Sequence, residues 1–135
     1  VSLWANPAED PSGYAFYCGD NNAFVMGVNA DGTWRFGNFN HGEISAPQTS
    51  GWTHACGTWD GQTLRLFING VQKATAAVSS MDSFGATDCV GAHQSSAPWN
   101  GDLADVRVYD RPLTQSEIAL LATAPLDAAA TTEVP

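Results

Sequence analysis

Hydrophobic and polar residues alternate with a period of two along much of the chain. Leu64, Leu66 and Ile68 fall on one side of a predicted strand, with Arg65, Phe67 and Asn69 on the other. Val106 and Val108 share a side, opposite Arg107 and Tyr109. This is the pattern of strands with one face packed and one face wet. Asp31-Gly32, Asp60-Gly61 and Asn69-Gly70 punctuate the strands. Such pairs suit the type I′ turn, which needs positive φ at both central positions. They predict hairpins of Phe24–Ala30 with Thr33–Phe39, Thr53–Trp59 with Gln62–Asn69, and Leu64–Asn69 with Val71–Ala77. Further strands are predicted at Ser2–Asn6, Tyr14–Gly19, Ala86–His93 and Asp102–Tyr109. About nine or ten strands are too many for one flat sheet, so the expectation is an all-β, antiparallel two-sheet sandwich.

One short C-terminal helix is also specified. Thr114 is a predicted N-cap whose hydroxyl accepts from the Glu117 amide, while the Glu117 carboxylate accepts from the Thr114 amide. Leu113 and Ile118 fit a hydrophobic staple, Ile118 and Leu121 share a docking face, and the helix should end near Thr123, before Pro125. The expected division is a sandwich domain over residues 1–124 and an Ala/Thr/Pro-rich tail or linker over 125–135.

Composition narrows the function. The chain has 135 residues, the size of one domain, with 14 acidic and 5 basic residues and a net charge of −9. Such a surface repels a phosphate backbone, which argues against nucleic acid as a partner. It suits an extracellular protein kept soluble by its charge, and it leaves room for divalent cations. There is no apolar run of transmembrane length. Of three cysteines, Cys56 lies in a core strand and reads as a small buried apolar residue. Cys18 and Cys89 could pair, but spacing alone does not decide it, and no cysteine has zinc-site spacing.

Four segments, in order, carry a family resemblance. Trp52-Thr53-His54 through Thr58-Trp59-Asp60-Gly61 resembles the W-x-H-x-x-x-T-W/Y-D-G stretch of laminin-G-like domains in the concanavalin A-like lectin/glucanase superfamily. Leu64 to Gly70 is similar to their L-x-L-Y-V-D/N-G strand and turn. Gly101 to Thr114, followed by Glu117-Ile118, is similar to their G-x-I-D-D-V-R-I-Y-D-R-A-L-S ending and the E-I beyond it. Ser2-Leu3-Trp4 resembles the early S-x-W-V strand. The likeness implies a concanavalin A-like jelly roll. The family usually has one or two strands before S-x-W, so the expectation is that another segment or a partner supplies that edge, or that the chain is part of a larger parent. Ala104 stands where the family often has Asp.

The superfamily hosts lectins, adhesion modules and glycosidases alike. Its glucanases use an E-x-D-x-x-E strand to set two carboxylates on one face. That motif is missing; Glu43 is isolated, Glu9-Asp10 lies in a Pro-flanked loop, and His54 belongs to a core strand. A sugar site needs an aromatic face and planar polar groups. Among five tryptophans, Trp4 and Trp52 match core positions and Trp59 begins a turn. Trp34, near Arg35, Asn38, Asn40 and His41, and Trp99, beside Asn100, are the candidate ligand residues. The resemblance also implies a rim calcium site, for which Asp20, Asp88 and Asp102 are the candidates. The expected function is a non-catalytic, secreted or surface-displayed module that binds glycans or surface proteins. The competing expectation is an assembly component such as an adhesin, surface-layer or virion protein that forms homo-oligomers.

Overall fold

Among the described residues, ten strands and one helix follow in the order β1 (Ser2–Pro7), β2 (Gly13–Cys18), β3 (Phe24–Val28), β4 (Trp34–Asn38), β5 (Gly42–Ala46), β6 (Thr53–Trp59), β7 (Thr63–Ile68), β8 (Val71–Ala77), β9 (Asp88–Val90), β10 (Gly101–Arg107) and α1 (Gln115–Thr123). The structure is a computed structural model and describes residues 1–18, 24–81, 88–92 and 97–123. The expected tail at 125–135 lies outside the described residues. The strands form two antiparallel sheets of five, ordered β10-β1-β6-β7-β8 and β5-β4-β3-β2-β9. Together they make a jelly-roll sandwich.

The alternation on β7 is realised. Leu64, Leu66 and Ile68 share one core with Met26, Trp34, Phe36 and Ile44 of the other sheet. Removing these apolar side chains from water is the main force holding the sheets together. The opposite face of β7 is not wet, however. Phe67 is only 4% exposed, because α1 lies over it and brings Leu113 and Ile118 against Cys56 and Phe67. Cys56 is buried as expected, but under the helix rather than between the sheets.

The helix start is built as its sequence predicts. The Glu117 amide donates to Thr114 Oγ1 at 3.2 Å, and the Thr114 amide donates to Glu117 Oε1 at 3.1 Å. Arg111 adds a two-pronged clamp on the same carboxylate, at 2.8 and 2.6 Å. That guanidinium, with the Thr114 amide, pulls the Glu117 pKa down to about 2. Among the three turns, only Asn69-Gly70 has positive φ at both residues. At the other two the Asp side chain makes the turn: Asp60 accepts from the amides of Gln62 and Thr63, and Asp31 from that of Thr33.

Several expectations need correction. β5 was not foreseen as a strand. Val108 is 63% exposed, because β10 ends at Arg107 after a register shift against β1 in which Asp105 takes φ 50°. Trp52 is 43% exposed rather than a core residue, since it precedes the first residue of β6. All three cysteines are free thiols. Cys89 stands opposite Tyr17 and Cys18 opposite Asp88, so the two thiols sit on different faces of their sheet and cannot bridge. Of the predicted strand 86–93, residues 88–92 lie among the described residues, and of these Asp88–Val90 form β9 while 91–92 bend away from it.

Candidate functional site

The helix occupies the outer face of the first sheet. The outer face of the β5-β4-β3-β2-β9 sheet carries a different set of side chains. Strand pairing aligns Tyr14, Gly27, Arg35 and Ser45 in one row, and Tyr17, Val25, Gly37 and Glu43 in the next. A bulge makes this possible. The β2–β3 register shifts between Tyr14 and Phe16, so Ala15 and Phe16 both enter the core while Tyr14 and Tyr17 both point outward.

Gly27 and Gly37 give these rows a low floor. A Cβ on Gly37 would lie 2.4 Å from the Gly42 carbonyl oxygen, and one on Gly27 would lie 2.2 Å from that of Gly13. Over this floor the Arg35 guanidinium stacks on Phe39, 4.6 Å from its centroid, and on Tyr14, 5.5 Å away. The Tyr14 and Phe39 rings meet edge to face at 5.9 Å. Arg35 also pairs with Glu43 across β4 and β5. Tyr17 and Val25 are buried beneath, Tyr14, Arg35 and Phe39 are half-buried, and Glu43 and Ser45 are exposed. Burial raises the Tyr14 pKa against the pull of Arg35, so the phenol stays protonated and keeps both a donor and acceptor role. The result is an aromatic and planar-polar surface, the chemistry that meets sugar C–H faces and hydroxyls.

The sequence-derived candidates fall elsewhere or play supporting parts. Trp34 is 0% exposed, donates through Nε1 to Thr49 Oγ1 at 2.8 Å, and has its ring 6.0 Å from that of Trp99. It belongs to the core, so its face is closed to a ligand. Trp99 is half-buried, and Asn100 is exposed with its amide donating to the Asp10 carbonyl at 2.7 Å. These three lie at one end of the sandwich. Asn38 and His41 lie at the other end of β4, about 13 Å along the strand from Trp34. Asn38 is buried, and its Oδ1 accepts from the amides of Asn40 at 2.8 Å and His41 at 3.1 Å. That bond set shapes the turn carrying Phe39. The His41 side chain is exposed and meets Ser80 Oγ at 3.2 Å.

The calcium candidates are not gathered into one site among the described residues. Asp88 stands opposite Cys18 at the far end of β2, and the exposed Asp102 pairs with Asn6 in the other sheet. Asp20 lies outside the described residues. Among those residues no group of three His, Cys, Asp or Glu is close enough to hold an ion.

Two other features have site-like chemistry. Ser2 Oγ and His54 Nε2 are 2.8 Å apart, a nucleophile–base spacing, but both residues are buried and His54 Nδ1 has no partner among the described residues to orient the ring. A cavity of about 440 Å³ between Phe16, Phe24, Phe36 and Trp59 is lined mainly by apolar groups. Asp60 and Arg111, which also line it, are already paired with Arg65 and Glu117.

Comparison with known proteins places the fold. A laminin-G sequence model described as the concanavalin A-like lectin/glucanases superfamily matches residues 1–119. The chain belongs to that superfamily. A native heptameric SAP-like pentraxin from Limulus polyphemus is 27% identical, with a TM-score of 0.69 over 90% of this chain and 68% of that one. A putative carbohydrate binding protein from Bacteroides ovatus is 14% identical, with a TM-score of 0.70 over 87% of this chain and 38% of that one. Domain 4 of AbnA, an extracellular arabinanase of Geobacillus stearothermophilus, solved with arabinotriose, is 21% identical, with a TM-score of 0.64 over 90% and 65%. The chain thus spans less than two thirds of the last two, and with them it shares the fold. No curated protein sequence matches.

Sequence reasoning missed Tyr14, Phe39 and Glu43. Glu43-Ile44-Ser45-Ala46 does alternate polar and apolar, which is the signal that could have revealed β5 and its outward Glu43.

Proposed function

We propose that this domain is a non-catalytic glycan-binding module that works outside the cytoplasm, and that its ligand lies on the outer face of the β5-β4-β3-β2-β9 sheet. One observation carries the reading: the half-buried Tyr14 and Phe39 rings flank the Arg35–Glu43 pair on a glycine floor. Stacked sugar rings would use the aromatic faces, and the pair would hold hydroxyls. The names of the carbohydrate-binding relatives support the class of ligand. The buried Ser2–His54 pair offers no access for a substrate, in keeping with a binding role.

The test is a glycan array with wild-type protein, Phe39→Ala and Arg35→Ala, each run with calcium and with chelator. Losing one aromatic contact of about 1.4 kcal/mol lowers affinity about tenfold. Phe39→Ala should therefore weaken binding by about that factor while the melting transition stays cooperative. Undiminished binding by both folded variants would refute the face. The competing reading, an assembly component, draws on the heptameric state of the pentraxin relative. A folded chain that elutes as a large homo-oligomer and binds no glycan would replace the first reading with the second.

A further inference from the structure

We infer that the glycan this face accepts is uncharged; the inference rests on the binding face proposed above. The whole chain holds five basic residues: Arg35, Arg65, Lys73, Arg107 and Arg111. Every arginine is already engaged by a carboxylate. Arg65 pairs with Asp60 at 2.9 Å, Arg107 with Asp105 at 2.9 Å, Arg111 with Glu117 at 2.6 Å, and Arg35 with Glu43. Lys73, the fifth, lies on β8 in the other sheet.

Recognition of a sialate, uronate or sulfate relies on a basic group, best a guanidinium offering two parallel N–H donors. Arg35 is the basic group on the proposed face, and it cannot make that offer. Its guanidinium already lies over the Tyr14 and Phe39 rings, its Nη2 is held by Glu43, and its Nε is buried. An anionic sugar would instead meet the exposed Glu43 carboxylate within a chain of net charge −9. A neutral sugar avoids both penalties. Its C–H face can stack on Phe39 and Tyr14, and its hydroxyls can donate to Glu43 and exchange hydrogen bonds with Ser45.

The experiment compares matched ligands that differ by a carboxylate: lactose with sialyllactose, and galacto- with galacturono-oligosaccharides. Titrations run in chelator, so that no cation bridges the two carboxylates. Ionic strength is raised from about 0.01 M to about 0.15 M, which shortens the Debye length from about 30 to about 8 Å. The neutral member should bind more tightly in each bound pair, with an affinity that changes less than about twofold with salt. Glu43→Gln, which releases Arg35 from its ion pair, should narrow or reverse the gap in favour of the acidic member. Tighter binding of acidic ligands by the wild-type protein would overturn the neutral class while leaving the binding face intact. A folded protein that binds neither class would refute the glycan-binding proposal itself, and this inference with it.

Discussion

His54 shows how one buried side chain sets a pH response. It is 1% exposed, bonded to Ser2 Oγ and 5.4 Å edge to face from Trp4. Burial lowers its pKa from 6.5 to about 4, only partly opposed by Asp105. The unfolded chain therefore takes up a proton near pH 6.5 that the folded chain refuses until about pH 4. The contribution of neutral His54 is complete above pH 6.5 and is lost as pH falls toward 4. The low pKa values of Asp60 and Glu117, about 2 in each case, place their own losses in more acid solution. Urea denaturation across this window should show stability falling with pH, and His54→Asn should flatten the slope. An equal slope in the variant would refute the assignment. That His54 is a core residue was legible in its strand and its family position. Its near neighbour Trp52 was not: whether a residue at a strand entrance is covered depends on distant chain, and here it is exposed.

At the level of elements, the helix start is the most legible feature. Thr114 and Glu117 make both capping bonds, so Thr114→Ala should cost about 1 kcal/mol. An unchanged urea midpoint would count against it. The Arg111 clamp on Glu117 was not legible, since it depends on the path of residues 111–114. The hairpins were legible because their apolar runs are long enough to show a period. β5 offers only Ile44 and Ala46 as inward positions, and β9 has three residues, too few to display alternation. Tyr14 was lost for a different reason. The bulge at Ala15 changes the phase within β2, so strict alternation would put Tyr14 on the same side as the core residue Phe16.

On the scale of the molecule, the two faces of the sandwich have diverged. One is roofed by α1 over Cys56 and Phe67; the other carries Tyr14, Arg35, Phe39 and Glu43 over Gly27 and Gly37. The sandwich itself was legible from alternation and turns. The binding face was not, because its residues come from β2, β4, β5 and the turn after β4 and meet only once the sheet is assembled. Tryptophan content pointed instead to Trp34, the most deeply packed aromatic of the set, which shows why residue type without facing misleads. The central claim is the location of ligand contact. The most direct measurement is amide chemical-shift mapping during titration with the tightest-binding neutral oligosaccharide. The largest changes should cluster at Tyr14, Gly27, Arg35, Gly37, Phe39 and Glu43. Changes centred on Trp99 and Asn100, or on the rim around Asp60 and Arg111, would contradict the account.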